Sequence, residues 1–152
     1  MTRVLGIDLG ERRIGIAVSD DEARAARPLA TLRRGSPGAD ARALVGLAGE
    51  HGAVELVVGL PLEADGSDGP QARLTREWAA ALGAASGLAV CFRDERETSL
   101  RAEARLGAPR RGRAGGPPTA AQRGARRARV DREAAALILQ AELDGRHGVS
   151  GR

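Results

Sequence analysis

Apolar residues recur along this chain in short runs that predict a β-sheet. Two runs near the start, Arg3–Leu9 and Arg13–Ser19, are separated by a tight turn and predict an antiparallel hairpin. A weaker third strand is expected at residues 28–33. Two further apolar runs occupy residues 54–59 and 88–93, and the former is continuous enough to indicate a strand covered on both faces.

Between these strands the apolar spacing changes to that of helices. In residues 39–50 apolar side chains fall at i, i+3, i+4 and i+7, which predicts a helix with one apolar face. The same spacing recurs over residues 74–85, and a short helix is expected at residues 98–106. The resulting order, βββαβαβα and a final helix, predicts an α/β fold with a mixed five-stranded sheet. Three antiparallel strands lie at one side, parallel strands follow, and helices cover both faces.

The last third of the chain leaves one boundary open. Residues 107–129 are rich in arginine, glycine and proline, so we expect a mobile loop within a single domain spanning residues 1–152. Thr119 and Gln122 have the spacing of a capping box, which would start the last helix near Thr119. The alternative start is Asp131.

Charge is distributed unevenly along the chain. All 24 basic residues are arginines, a bias that a GC-rich genome would also produce. Residues 93–152 contain 14 arginines and 8 acidic residues, and residues 105–129 contain eight arginines and no acid. Because the planar guanidinium suits phosphate oxygens, this segment predicts contacts with nucleic acid.

Composition also favours a cytoplasmic location. The single cysteine, Cys91, cannot form an internal disulfide. No apolar run approaches the roughly 18 residues that a membrane span requires. The first strand is interrupted by Asp8 and followed by charged residues, unlike a signal peptide. We therefore expect no membrane partner.

Asp8 is the polar residue that most needs an explanation, because it interrupts an otherwise apolar strand. A buried charge requires a positive partner or a functional reason. Acidic residues also follow the fifth strand, where only one of Asp94 and Glu95 can face Asp8, since successive side chains point to opposite faces. Asp131 lies on the side of the last helix that is expected to pack inward.

Carboxylates without a neighbouring His or Cys suit a hard divalent cation such as Mg²⁺. A pair of such ions about 4 Å apart can activate water and stabilise the leaving oxygen of a phosphodiester. Two of the acids also have purely structural interpretations. Asp131 could cap the last helix, and Glu95 could pair with Arg93 or Arg96 at the surface.

Several short motifs occur in the order expected for one family. The sequence resembles the YqgF family, also called RuvX, of pre-16S rRNA nucleases, which are similar to the RuvC Holliday-junction resolvases. The motifs are residues 6–10 (GIDLG), 13–20 (RIGIAVSD), 58–62 (VGLPL) with 65–67 (DGS), 94–96 (DER) with Thr98, and 130–131 (VD) followed by 134–135 (AA) and 138–140 (ILQ).

This resemblance implies an RNase H-like fold and metal-dependent phosphodiester hydrolysis that matures the 5′ end of 16S rRNA. The family's acidic residues fall on Asp8, Glu95 and Asp131, which are implied as catalytic groups and as ligands of Mg²⁺ (or Mn²⁺). The chain departs from the family's pattern in its long basic segment, residues 107–129, and at Glu97, where an apolar residue is more usual.

The substrate's flanking phosphates are expected to contact arginines of the hairpin turn, the DER motif and the basic segment. With only two aromatic residues in the chain, base stacking is a poor candidate for recognition. Contacts to the backbone would position the strand without reading its sequence. The arginines are Arg12, Arg13, Arg96, Arg110, Arg111, Arg113, Arg126 and Arg127.

Several alternatives stay open at this point. The substrate is pre-rRNA or branched DNA, cleavage is endo- or exonucleolytic, and the protein is a monomer or a homodimer. The GIDLG hairpin also resembles the phosphate-binding turn of actin-like ATPases and sugar kinases, which need two lobes. A further alternative is a nucleic-acid-binding module that keeps the fold without the chemistry.

Overall fold

The computed structural model describes residues 2–95, 98–108 and 115–148, with the side chains of Ser99 and Leu100 excepted. Five strands and four helices follow one another in the order that the sequence predicts. They are β1 (Arg3–Leu9), β2 (Arg13–Ser19), β3 (Ala26–Arg33), α1 (Pro37–His51), β4 (Ala53–Leu60), α2 (Pro70–Ser86), β5 (Ala89–Asp94), α3 (Thr98–Leu106) and α4 (Ala120–Gly148).

The strands form one mixed sheet in the order β3-β2-β1-β4-β5. The β1–β2 and β2–β3 pairs are antiparallel, whereas β1–β4 and β4–β5 are parallel. The predicted mixed sheet is thereby confirmed. β3 begins before Pro28, and an edge strand accommodates this proline because one side of its backbone needs no ladder hydrogen bonds.

Helices cover both faces of the sheet, and the alternation of side chains along each strand decides which face a residue joins. On β1, Leu5 and Ile7 pack in the core formed with α1 and α2. Val4 packs with Ala135 and Leu139 on the opposite face. We call this second surface the α4 face. Asp8 continues the alternation of Val4 and so belongs to the α4 face.

Of the two helix starts that the sequence leaves open, the structure has the earlier one. The Thr119 amide donates to Oε1 of Gln122 at 2.8 Å, and the Gln122 amide donates to Oγ1 of Thr119 at 3.1 Å. This reciprocal capping box begins α4 at Ala120. The expected loop over residues 107–129 is therefore wrong for residues 120–129, which are helical.

The first half of α4 is held by polar contacts and not by an apolar stripe, which explains why composition misled the prediction. Oγ1 of Thr31 donates to the Ala128 carbonyl at 2.6 Å. Nη2 of Arg126 donates to the Gly107 carbonyl, just beyond α3, at 2.7 Å.

Among the described residues, no helix combines the length and the apolar character that a membrane span needs.

Candidate active site

Glycines on the α4 face allow α4 to lie unusually close to the sheet. A Cβ added to Gly15 on β2 would overlap the backbone carbonyl of Asp131. A Cβ added to Gly59 on β4 would lie 2.9 Å from Oε2 of Glu95 and 2.5 Å from Cδ1 of Ile138. Two glycines of the predicted motifs thus bring the backbone of α4 and the side chain of Glu95 against the strands.

Asp8 and Glu95 meet at the carboxyl ends of the parallel strands. Asp8 is the cross-strand partner of Gly15 near the end of β1. Glu95 follows β5 directly, and its amide donates to the Leu60 carbonyl at 3.1 Å, which extends the β4–β5 pairing by one bond. The carboxyl groups of Asp8 and Glu95 are hydrogen-bonded to each other. Glu95, and not its exposed neighbour Asp94, therefore faces Asp8.

The pKa values of both carboxyl groups are raised, chiefly because burial disfavours their charged forms. The negative charge of Asp131 raises the pKa of Asp8 further, while the hydrogen bond from Glu95 opposes the rise. For Glu95 the charge of Asp8 adds to the effect of burial and raises its pKa more strongly. The pair therefore retains a proton at pH values where an exposed carboxyl group is ionised.

This retained proton predicts a pH-dependent stability of the metal-free protein. Above the ordinary carboxyl range, near pH 4, the folded state binds more protons than the unfolded state. The free energy of unfolding should then fall as pH rises, by up to about 1.4 kcal/mol per pH unit for one retained proton. Glu95→Gln should flatten this slope in urea unfolding measured in EDTA between about pH 5 and 8.

Glu77→Gln, on the exposed side of α2, is the matched control and should keep the wild-type slope. Parallel slopes for wild type and Glu95→Gln would show that the pair does not share a proton in the folded protein.

Asp131 lies beside this pair, but its carboxylate forms an ion pair with the guanidinium of Arg13. Nε of Arg13 donates to Oδ2 of Asp131 at 2.6 Å, with the two side chains 32% and 19% exposed. Because α4 begins eleven residues before it, Asp131 is not a helix cap, and that structural alternative is wrong. The Arg13–Asp131 pair lines a cleft of about 250 Å³ together with Gly10, Glu11 and Arg12.

The donor set has the chemistry of a site for a hard cation, although the ligands are not fully assembled. In residues 2–95, 98–108 and 115–148, no group of three or more His, Cys, Asp or Glu side chains converges closely enough to hold a metal ion. Asp8 and Glu95 offer carboxyl oxygens in contact, and the carboxylate of Asp131 already attracts a positive group. These oxygens suit Mg²⁺ or Mn²⁺.

The predicted nucleic-acid-binding arginines have different environments. Arg12, Arg13 and Arg127 line one cleft of about 360 Å³ between the β2–β3 pair and α4. Arg126 instead donates to the carbonyls at the end of α3. The other predicted arginines lie outside the described residues; they are Arg96, Arg110, Arg111 and Arg113.

Sequence reasoning missed three further polar residues that line the 360 Å³ cleft, Thr31, Arg33 and Arg132. The hairpin-like pairing of β2 with β3 places Arg33 directly opposite Arg13. Arg33 could have been identified from the sequence by predicting which residues of the third strand pair with those of β2. Arg132 adjoins Asp131 and could have been found from the earlier start of α4.

Solved structures with a similar fold define the class. T. thermophilus RuvC in complex with a Holliday junction substrate matches with a TM-score of 0.54 at 16% identity, covering 97% of each chain. The fowlpox virus Holliday junction resolvase matches with a TM-score of 0.52 at 12% identity, covering 95% of this chain and 99% of that one. The predicted RNase H-like fold is confirmed.

Sequence comparison identifies the family within this class. The model of the RuvX family, described as Holliday junction resolvase, matches residues 2–145, and the chain belongs to this family. A relative from Anaeromyxobacter sp. (strain K) is 46% identical over 144 residues, covering 95% of this chain and 98% of the relative. A relative from Myxococcus xanthus is 39% identical over 142 residues, covering 93% and 87%. Both are named "Putative pre-16S rRNA nuclease".

Proposed function

We propose that this protein is a metal-dependent nuclease that hydrolyses phosphodiester bonds and processes the 5′ end of pre-16S rRNA during ribosome biogenesis in the cytoplasm. The observation that carries the proposal is the partly buried Asp8–Glu95 carboxyl pair beside Asp131. Acids with pKa values raised in this way cost stability in the absence of a ligand, which is typical of a catalytic site. The names of the curated relatives supply the substrate.

Asp8 and Glu95 would hold Mg²⁺ (or Mn²⁺), and Asp131 would complete the ligand set. A divalent cation in such a site neutralises phosphate charge and lowers the pKa of water, which favours hydrolysis. Asp8 and Glu95 must release their shared proton to present charged oxygens. Asp131 must exchange its bond to Arg13 for the cation, and the freed guanidinium then lies beside the site, where it can bind a substrate phosphate.

Branched DNA is the second candidate substrate, because the family model is described as Holliday junction resolvase and the chain shares its fold with RuvC. Symmetric cleavage of a junction requires two active sites, so this alternative also predicts a homodimer. Processing of one rRNA end can be performed by a monomer.

A cleavage panel tests the proposal. Wild-type protein, Glu95→Gln and the control Glu77→Gln are incubated with pre-16S RNA, single strands, duplexes and four-way junctions, in Mg²⁺, Mn²⁺ or EDTA. We expect wild type and Glu77→Gln to cleave the precursor near the mature 5′ end only with a divalent ion. Glu95→Gln should be inactive, since it removes one ligand charge.

Preferential cleavage of four-way junctions would select the DNA alternative. Cleavage in EDTA would contradict a metal-dependent mechanism. Binding without cleavage of any substrate would indicate a nucleic-acid-binding module.

A further inference from the structure

The cleft between the β2–β3 pair and α4 is lined by an unusual density of positive charge. It has a volume of about 360 Å³ and opens on the α4 side of the hairpin. We call it the arginine groove. Its polar lining residues are Arg12, Arg13, Thr31, Arg33, Arg127 and Arg132.

Most of these guanidiniums have no carboxylate partner among the described residues. Arg13 is the exception, since it is ion-paired with Asp131. In the part of the chain that the structure describes, neither Arg33 nor Arg127 has an ion pair. Electrostatic repulsion raises the free energy of arginines that lie near one another without a counter-charge. The groove therefore favours binding of an anion.

Strand register places two of these like charges directly opposite each other. Arg13 on β2 is the cross-strand partner of Arg33 on β3. Like charges in this position destabilise a sheet. Asp131 compensates Arg13 through its ion pair, whereas Arg33 lacks such a partner in the described chain. A bound anion at Arg33 would remove the repulsion.

Part of the groove is held in place by hydrogen bonds before any ligand binds. Oγ1 of Thr31 donates to the Ala128 carbonyl at 2.6 Å and accepts from Nη1 of Arg132 at 3.3 Å. One hydroxyl therefore ties β3 to α4 and orients Arg132. Because these groups are already ordered, the protein loses less conformational entropy when a ligand binds.

Continuity with the acidic site indicates the size of the ligand. Arg12 and Arg13 line both the arginine groove and the cleft that contains Asp131. A ligand in the groove can thus continue to the acidic residues. The combined positive charge of the groove's guanidiniums exceeds the negative charge of one phosphate. The groove therefore suits consecutive phosphates of a polymer.

We propose that the arginine groove binds successive backbone phosphates of the nucleic-acid strand on one side of the scissile bond, with Arg33 and Arg132 as additional contacts. This inference rests on the proposed nuclease function and deepens it. It assigns Arg33 and Arg132 to phosphate binding, and it predicts that contacts are made to the backbone and not to bases.

Fluorescence anisotropy in EDTA tests the groove separately from cleavage. The probe is a fluorescein-labelled single-stranded RNA from the pre-16S 5′ region, titrated at several salt concentrations. Arg33→Gln and Arg132→Gln should each raise Kd about 3- to 10-fold and reduce the magnitude of the salt slope by roughly 0.7. Arg33→Lys, which keeps the charge, should retain most of the wild-type slope.

Arg42→Gln on the exposed side of α1 is the matched control and should leave both Kd and slope unchanged. Wild-type values for both groove variants, or an equal loss in Arg42→Gln, would overturn the assignment. Circular dichroism confirms that each variant is folded. The binding assay does not depend on cleavage. Loss of the predicted effect of Arg33 and Arg132 on RNA affinity would therefore leave the nuclease proposal intact. Wild-type protein that binds RNA but does not cleave it would contradict the nuclease proposal and not the groove.

Discussion

Asp8→Asn is expected to abolish metal-dependent cleavage, with a loss of about 1,000-fold or more in single-turnover rate. The substitution preserves the size of the side chain but removes the negative charge at the centre of the acidic site. An amide oxygen is a much weaker ligand for Mg²⁺, and several kcal/mol of charge stabilisation are lost with the cation. The rate is measured with labelled pre-16S RNA at saturating protein.

Stability and binding distinguish this loss from misfolding. Burial raises the pKa of Asp8 to about 6, so its ionised form is unfavourable in the metal-free fold at neutral pH. Asp8→Asn should therefore raise the free energy of unfolding in EDTA by about 1–3 kcal/mol. RNA affinity should be unchanged or slightly higher, since one negative charge is removed.

The outcome that contradicts this prediction is a variant that cleaves at the wild-type rate. Such a result would remove Asp8 from the mechanism. Glu77→Gln controls for the loss of an acid elsewhere and should match wild type in cleavage, stability and affinity.

Gly15→Ala is expected to have the second large effect, because a single methyl group would separate α4 from β2. The added Cβ would overlap the backbone carbonyl of Asp131, which cannot move aside like a flexible side chain. Overpacking of this kind costs about 1–3 kcal/mol or more. We expect a loss of about 3 kcal/mol in urea unfolding. A shift of about 1 Å in Asp131 should reduce cleavage about 100-fold.

Gly46→Ala provides the matched control. Gly46 lies within α1, and a Cβ there would meet nothing within 4 Å. Alanine is the better helix former, so this variant should gain about 0.5–1 kcal/mol and cleave like wild type. If Gly15→Ala also unfolds at wild-type urea concentrations, α4 does not pack on β2 as closely as the structure places it.

Much of the fold could be predicted from the sequence because the signals are local. Alternating and continuous apolar runs give the strands, and the three-to-four-residue spacing gives α1 and α2. Short connections among the first three strands predict antiparallel pairing. The helical connections that follow predict parallel pairing. The first half of α4 was harder, because polar contacts such as that of Thr31 with Ala128 replace the apolar stripe.

By itself the sequence determined the order of strands and helices along the chain, the mixed sheet, the family and the three acidic candidates, since each depends on local spacing or on short motifs. Only the tertiary structure decided that Glu95 hydrogen-bonds to Asp8, that Arg13 holds Asp131 and that Arg33 joins the groove. Arg13 and Asp131 are 118 positions apart. Contacts at such distances depend on where α4 crosses the sheet, and that crossing is set by the packing of the whole domain.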